Sequence, residues 1–351
     1  MKGNGRQMLE GAWDVVEQSL TDPLFWAERM LPGLFFLVLG GLLGSFLNVV
    51  AYRVPRGGSV SGRRSHCPAC GTMIRGRDNV PVLGWLLLGG RCYACRGWIS
   101  ARYPIVEAIM AVGVMLLATR ELATNGANLP GRLPGWPDGP DLVFVHASWR
   151  VMAGFAWHVL LLATLVVWSL FAIDGHRPRV RGFLAVGGCL GLVGLVLPGL
   201  IPVNVAGTGG WEEGLAVLAA VGEAAMVAAV GGALGGLAGA IPAFLAAPRD
   251  AAWMWWGGGG LLGLVLGWQA AVAAVLIGLC LAIAWCGLCL VAGGWREGRA
   301  GWFRAASLAL PIAAVIAIGW WRQLLWAAAS WFAHSILVAS AGTLVLRHEP
   351  L

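Results

Sequence analysis

The sequence predicts an all-α fold, a polytopic transmembrane helical bundle of about eight spans with a small cytoplasmic four-cysteine zinc knuckle. Three observations predict it. Only 12% of the 351 residues are charged and 58% are hydrophobic, whereas a soluble domain carries about a quarter charged residues. Apolar runs of roughly 18 residues or more recur along the chain, each long enough to cross about 30 Å of hydrocarbon. Between the first two runs stand two C-x-x-C pairs, Cys67/Cys70 and Cys92/Cys95, with 21 residues between them.

The spans are expected at 33–52, 104–120, 151–173, 182–203, 214–247, 257–293, 305–321 and 324–346. Pro198 and Pro242 lie near span ends. The 214–247 run is too long for one upright helix, so it is tilted or broken. The 257–293 run has the length of a helical hairpin. The 53 glycines and 20 tryptophans suit this class, because glycine lets membrane helices approach closely and tryptophan favours the lipid–water interface. Lys2 is the only lysine. A codon bias toward Gly, Ala, Arg and Trp would yield the same counts, so they carry no functional reading.

Basic residues orient the bundle. From Arg53 to Arg102 there are nine arginines and one acid, Asp78, which places this loop in the cytoplasm. The segment before the first span holds Glu10, Asp14, Glu17, Asp22 and Glu28 and is expected outside. No short apolar core after basic residues precedes Gly33, as a cleavable signal would require. The expected organisation is a non-cytoplasmic segment 1–32, two spans over 33–120 enclosing the loop 53–103, an external loop 121–150, and a transmembrane bundle over 151–351. The net charge of +7 is explained by this orientation and implies no nucleic-acid partner.

Four cysteines in two C-x-x-C pairs can set four sulfurs tetrahedrally around one zinc. The compartment expected for the loop is reducing, which disfavours the alternative of disulfides. Because Cys67, Cys70, Cys92 and Cys95 fill every position, the site is closed and the metal is expected to be structural. The stretch "VPVLGWLLLGG", 80–90, is apolar but too short to span, and is expected against or dipping into the membrane. Cys189, Cys280, Cys286 and Cys289 lie in apolar spans and are expected to be small buried packing residues.

"GGLLGSFLNVVAYRVPRG" (40–57), "HCPAC", "DNVPVLGW", "GRCYAC" and "ISARYPIVEAI" (99–109) follow one another in this order. Over about 33–120 the chain closely resembles the N-terminal half of type IV prepilin peptidases, the membrane aspartic proteases of type IV pilus and type II secretion systems. Over the remaining spans it resembles them only loosely. The resemblance implies an inner-membrane enzyme that cuts the basic leader from prepilins and pseudopilins at the cytoplasmic face. Many such enzymes also N-methylate the new terminus with S-adenosylmethionine, and their Cys-rich loop is associated with zinc and with the methylation half. Within the matched block, Gly44 and Ser45 suit close helix contact. Asn48 in an apolar span should bond a neighbouring helix, and Glu107 needs a partner, either an arginine of the loop or a cationic substrate.

An aspartic mechanism needs two carboxyl groups sharing one proton, one activating water and the other donating to the scissile amide. Asp174 ends a long apolar span in "LFAID", the setting in which the family carries its first catalytic aspartate, although the continuation "GHRPRVRG" departs from the family pattern. Its alternative is a helix-end aspartate paired with Arg177 or Arg179. The family's second motif, Gly-x-Gly-Asp-x-Lys-Leu, is missing. Counting back from the family-like "GLVLGWQ" puts Trp255 at the catalytic position, and the nearby acid is Asp250. Asp174 and Asp250 are therefore the expected catalytic pair. His176 lies two residues from Asp174 and is a poorer partner. The alternative is a divergent relative without protease activity, acting as a methyltransferase or as a membrane scaffold for pilin-like helices. A transporter or channel fits less well, because the acids flank the spans instead of lying midway.

Overall fold

The computed structural model describes residues 23–61, 65–124, 126, 128, 149–176, 252–266, 268–291 and 308–320, with isolated helical positions between 186 and 237. Asp250, the loop 295–304, the span 324–346 and most of the spans expected at 182–203 and 214–247 lie outside the described residues.

All named elements are helical: α1 (Pro23–Arg53), the short α2 (Leu83–Leu87), α3 (Arg102–Glu121), α4 (Trp149–Ile173), α5 (Ala252–Leu266), α6 (Trp268–Val291) and α7 (Ala309–Gly319). Among the described residues, three segments are long and apolar enough to cross a membrane: Met30–Arg56, Arg102–Glu121 and Val151–Ile173. They coincide with the first three expected spans. The stretch 257–293 is two helices, α5 and α6. Gly278 of α6 lies against the Trp255 ring of α5, so the two fold back on each other as a hairpin.

Between lipid-exposed helices, tails are as apolar as leucine, and attraction comes from close backbone approach and interhelical hydrogen bonds. Helix α1 shows both. Gly40, Gly44 and Asn48 repeat every four residues and face α3. A Cβ on Gly40 would collide with the Met110 carbonyl, and one on Gly44 would lie 2.8 Å from the Glu107 Cα. One turn further, Asn48 Nδ2 donates to the Tyr103 carbonyl at 3.2 Å, as the sequence led us to expect. The outward face repeats at the same spacing: Leu34, Val38, Leu42 and Phe46 are each about half exposed. One face of this helix thus carries large apolar residues outward, while Gly40, Gly44 and Asn48 meet α3 and Phe36 and Leu47 enter the core.

Helix α3 runs antiparallel to α4 with a constant register. Arg102 pairs with Asp174 just beyond the α4 end, Gly113 lies against Leu162, and Glu121 meets His158. His158 Nδ1 is 2.9 Å from both Glu121 oxygens, and both side chains are fully buried. Helix α7 closes the other flank. Val315 packs on Gly113, Asn128 Nδ2 donates to the Ile318 carbonyl at 3.1 Å, and Arg120 stacks over Trp320. The buried core lies between these helices, with Met110, Leu117, Leu161, Leu165 and Leu310 fully enclosed.

Two side-chain expectations change. Cys189 and Cys280 are exposed and are not buried packing residues, and the side chains of Cys286 and Cys289 lie outside those described; a thiol is apolar enough to stand toward lipid. The Glu107 partner is not an arginine: its Oε2 accepts the Val82 amide at 2.7 Å.

Breaking a buried pair by removing one partner leaves the other uncompensated, at about 3 kcal/mol. His158→Leu should therefore lower unfolding stability in detergent by about that amount, and Glu121→Leu/His158→Leu by distinctly less. Losses for Glu121→Leu and His158→Leu that simply add in the double variant would show that the two side chains are not coupled.

Candidate active site and metal centre

The knuckle is two copies of one local structure, offset by 25 residues. In the first, the Cys67 amide donates to Thr72, the Gly71 amide to Cys67 and the Ile74 amide to Ser65. In the second, the Cys92 amide donates to Gly97, the Arg96 amide to Cys92 and the Ile99 amide to Gly90. Each turn ends on a left-handed residue. Gly71 (φ 72°) takes this conformation freely, whereas Arg96 (φ 58°) takes it as an L side chain, at about 1 kcal/mol. One antiparallel bridge closes each copy, His66–Met73 and Arg91–Trp98.

These turns aim all four sulfurs at one point. The Sγ atoms of Cys67, Cys70, Cys92 and Cys95 all lie within 4.8 Å of one another, and Cys67 Sγ is 3.9 Å from Cys95 Sγ. A tetrahedron with Zn–S bonds of about 2.3 Å has sulfurs about 3.8 Å apart, so the set fits a zinc ion. Hydrogen bonds from the Thr72 hydroxyl and amide draw the Cys70 thiol down to about 6. The Gly97 amide pulls Cys95 the same way, but the neighbouring Cys70 thiol, burial and the other two sulfurs outweigh it and push Cys95 up to about 11.

The apolar stretch between the pairs is a wedge. Pro81 packs on Gly41, roughly 18 Å along α1 from Arg53 at ~1.5 Å per residue. Val82 has φ 63°, an unfavourable conformation for a β-branched residue. Its amide is held by Glu107, and the Ser45 side chain also bonds that carboxylate. Trp85 Nε1 ties the wedge back to the Ile99 carbonyl at 3.0 Å. Leu83, Leu86 and Leu87 are exposed, Leu87 by 82%.

Asp174 follows the last residue of α4. Gly175 (φ 71°) turns the chain, and the His176 amide returns to the Phe171 carbonyl at 2.8 Å. The Asp174 carboxylate receives the Arg102 guanidinium, with both side chains about one-fifth exposed. The sequence singled out Asp174 but not Arg102. The alternatives Arg177 and Arg179 lie outside the described residues.

A family model, the bacterial peptidase A24 N-terminal domain, matches residues 38–120. A "Type 4 prepilin-like proteins leader peptide-processing enzyme" of Escherichia coli O78:H11 is 33% identical over 181 residues, 45% of this chain and 67% of that protein. The chain belongs to the type IV prepilin peptidase family. A family member from Myxococcus xanthus, named prepilin leader peptidase/N-methyltransferase, is 49% identical over 75 residues, 21% of this chain and 22% of that protein. One of the same name from Klebsiella pneumoniae is 41% identical over 118 residues, covering 32% and 48%. The matches thus span from about a fifth to two thirds of these relatives' lengths. No solved structure matches.

The prepilin peptidase motifs of the first half map onto the elements just described: Gly40 and Gly44 onto the α1–α3 contact, Pro81 and Val82 onto the wedge, and Arg102 to Glu107 onto the start of α3. In the second half, Trp255 is buried at 3% exposure, at the position where the family motif would place an aspartate. The glycine run is helical in α5, and a Cβ on Gly258 would strike Leu310 of α7. Here Gly258 serves helix packing.

Metal analysis of the purified chain should find one zinc, lost in Cys67→Ser and Cys92→Ser. Thiols must ionise to bind, and below about 6 zinc must displace the Cys70 proton as well. Apparent affinity should therefore weaken as pH falls and steepen below about 6, measured by competition with a chromogenic chelator. A metal content insensitive to both substitutions would exclude the site.

Proposed function

We propose that the chain is a membrane aspartic endopeptidase that removes the leader peptide from prepilins or pseudopilins at the cytoplasmic face of the inner membrane, and that N-methylation of the new terminus accompanies it. The observation that carries the proteolytic half is Asp174, a carboxylate at the end of an apolar span, paired by an arginine from the family-matched half. The relatives' names supply the leader and methylation readings. The nine arginines of the 53–102 segment support a cytoplasmic knuckle and an external N-terminus.

Asp250 is our second carboxyl. The packing of α5 on α4 supports this assignment: Leu165 approaches Gly258, and the Trp168 and Trp253 rings are 6.4 Å apart. This antiparallel register runs toward Asp174 on one helix and toward residue 250 on the other. With one proton shared, one carboxylate takes a proton from water as it attacks the scissile carbonyl. The other gives a proton to the leaving nitrogen. A prepilin with a basic leader and an apolar N-terminal helix would reach the pair from the bilayer. Zinc at Cys67, Cys70, Cys92 and Cys95 would be structural. S-adenosylmethionine enters only through the relatives' N-methyltransferase names, and no residues are assigned to it.

Co-expression with a prepilin tests the reading. Asp174→Asn and Asp250→Asn should each reduce leader cleavage by a factor on the order of 10⁴ or more, as loss of one member of a catalytic unit does. Unimpaired cleavage by either variant would refute the dyad and favour a methyltransferase or a scaffold for pilin-like helices.

A further inference from the structure

Arg102 has no role in the carboxyl pair itself, yet its guanidinium ends on Asp174. It comes from the opposite half of the chain, 72 residues away. Its root is firmly held. The Ile99 amide donates to Gly90 at 2.8 Å and the Ile99 carbonyl accepts from Trp85 Nε1 at 3.0 Å, three residues before Arg102. The Arg102 amide bonds the Ser100 hydroxyl at 3.3 Å, and the guanidinium lies 5.4 Å from the Tyr103 ring. The second copy of the knuckle therefore delivers the arginine directly onto the α4 end.

We infer that Arg102 is a positioning residue for Asp174: it fixes the carboxylate at the α4 end and compensates the negative charge that a proton-sharing carboxyl pair carries. The inference rests on the catalytic reading of Asp174. Two carboxyls with one proton keep a net charge of one, and a charge at a membrane boundary needs a partner. Among the described residues, Arg102 is the ion-pair partner of Asp174. A planar fork on a short, tied root restricts the carboxylate more than a mobile surface lysine would. The knuckle, through residues 97–101, thereby sets the geometry of a carboxyl group belonging to the other half of the protein.

The test uses the full-length chain in detergent with a purified prepilin. Arg102→Gln should lower kcat for leader cleavage on the order of 100-fold, the effect of a small misplacement of a reacting group, with KM unchanged and the zinc content of the parent retained. Arg102→Lys keeps the charge and should recover at least about a tenth of the parental kcat. Parental kcat in Arg102→Gln overturns the inference, as does a loss that lies wholly in KM, which would make Arg102 a substrate contact. If Arg102→Gln does not fold, Arg102→Lys decides alone: kcat lowered about threefold or more at unchanged KM supports the role of the fork, and parental kcat or a loss wholly in KM overturns it. Asp174→Asn in the same assay separates the two readings. Inactive Asp174→Asn beside a fully active Arg102→Gln removes only the inference, whereas fully active Asp174→Asn removes both.

Discussion

Helix α3 is fastened to α4 at both ends, by Arg102 on Asp174 and by Glu121 on His158. In a bundle that faces lipid, polar side chains have no water to fall back on and must find one another. Two such contacts, separated by the length of a 20-residue helix, set both the register and the tilt of the pair. The rest of the arrangement follows. The α1 helix docks on α3 through Gly40, Gly44 and Asn48 and meets α4 through Phe36 on Phe155, and α7 docks through Gly113, Arg120 and Asn128. The family-matched first half and the Asp174 half are therefore joined through α3 and through the α1–α4 ring contact.

The knuckle has the opposite economy. Each of its two copies is closed by its own backbone hydrogen bonds. Contact between copies includes the sulfurs, the Tyr93 hydroxyl donating to the Met73 carbonyl at 3.3 Å, and Arg75 stacked on Tyr93. A domain this small cannot bury enough apolar surface to hold itself, and a metal ion would supply the missing cross-link. The wedge after the first copy is held in another way. Glu107 satisfies the amide of a strained Val82, so non-helical backbone is accommodated against α1 and α3 by a carboxylate inside the bundle.

The cysteines, the first three spans and Asn48 could be read from the sequence because each is a local pattern: spacing of thiols, length of an apolar run, one amide among apolar neighbours. The 257–293 hairpin was legible from length alone. Glu121 and His158 carry a local signal too, since an ionisable residue in an apolar stretch asks for a partner, but not which partner. Gly258, in the acid-free glycine run 257–260, meets Leu310 of α7 and Leu165 of α4 and serves packing.

The chain by itself determined which segments are helices suited to lipid and where a metal can be held, because hydropathy and thiol spacing act over a few residues or one span. Only the tertiary structure decided which charge meets which. Arg102 and Asp174 are 72 positions apart, and Glu107 binds a backbone amide and not an arginine. Such pairings join groups on different helices far apart in sequence, which no local pattern encodes.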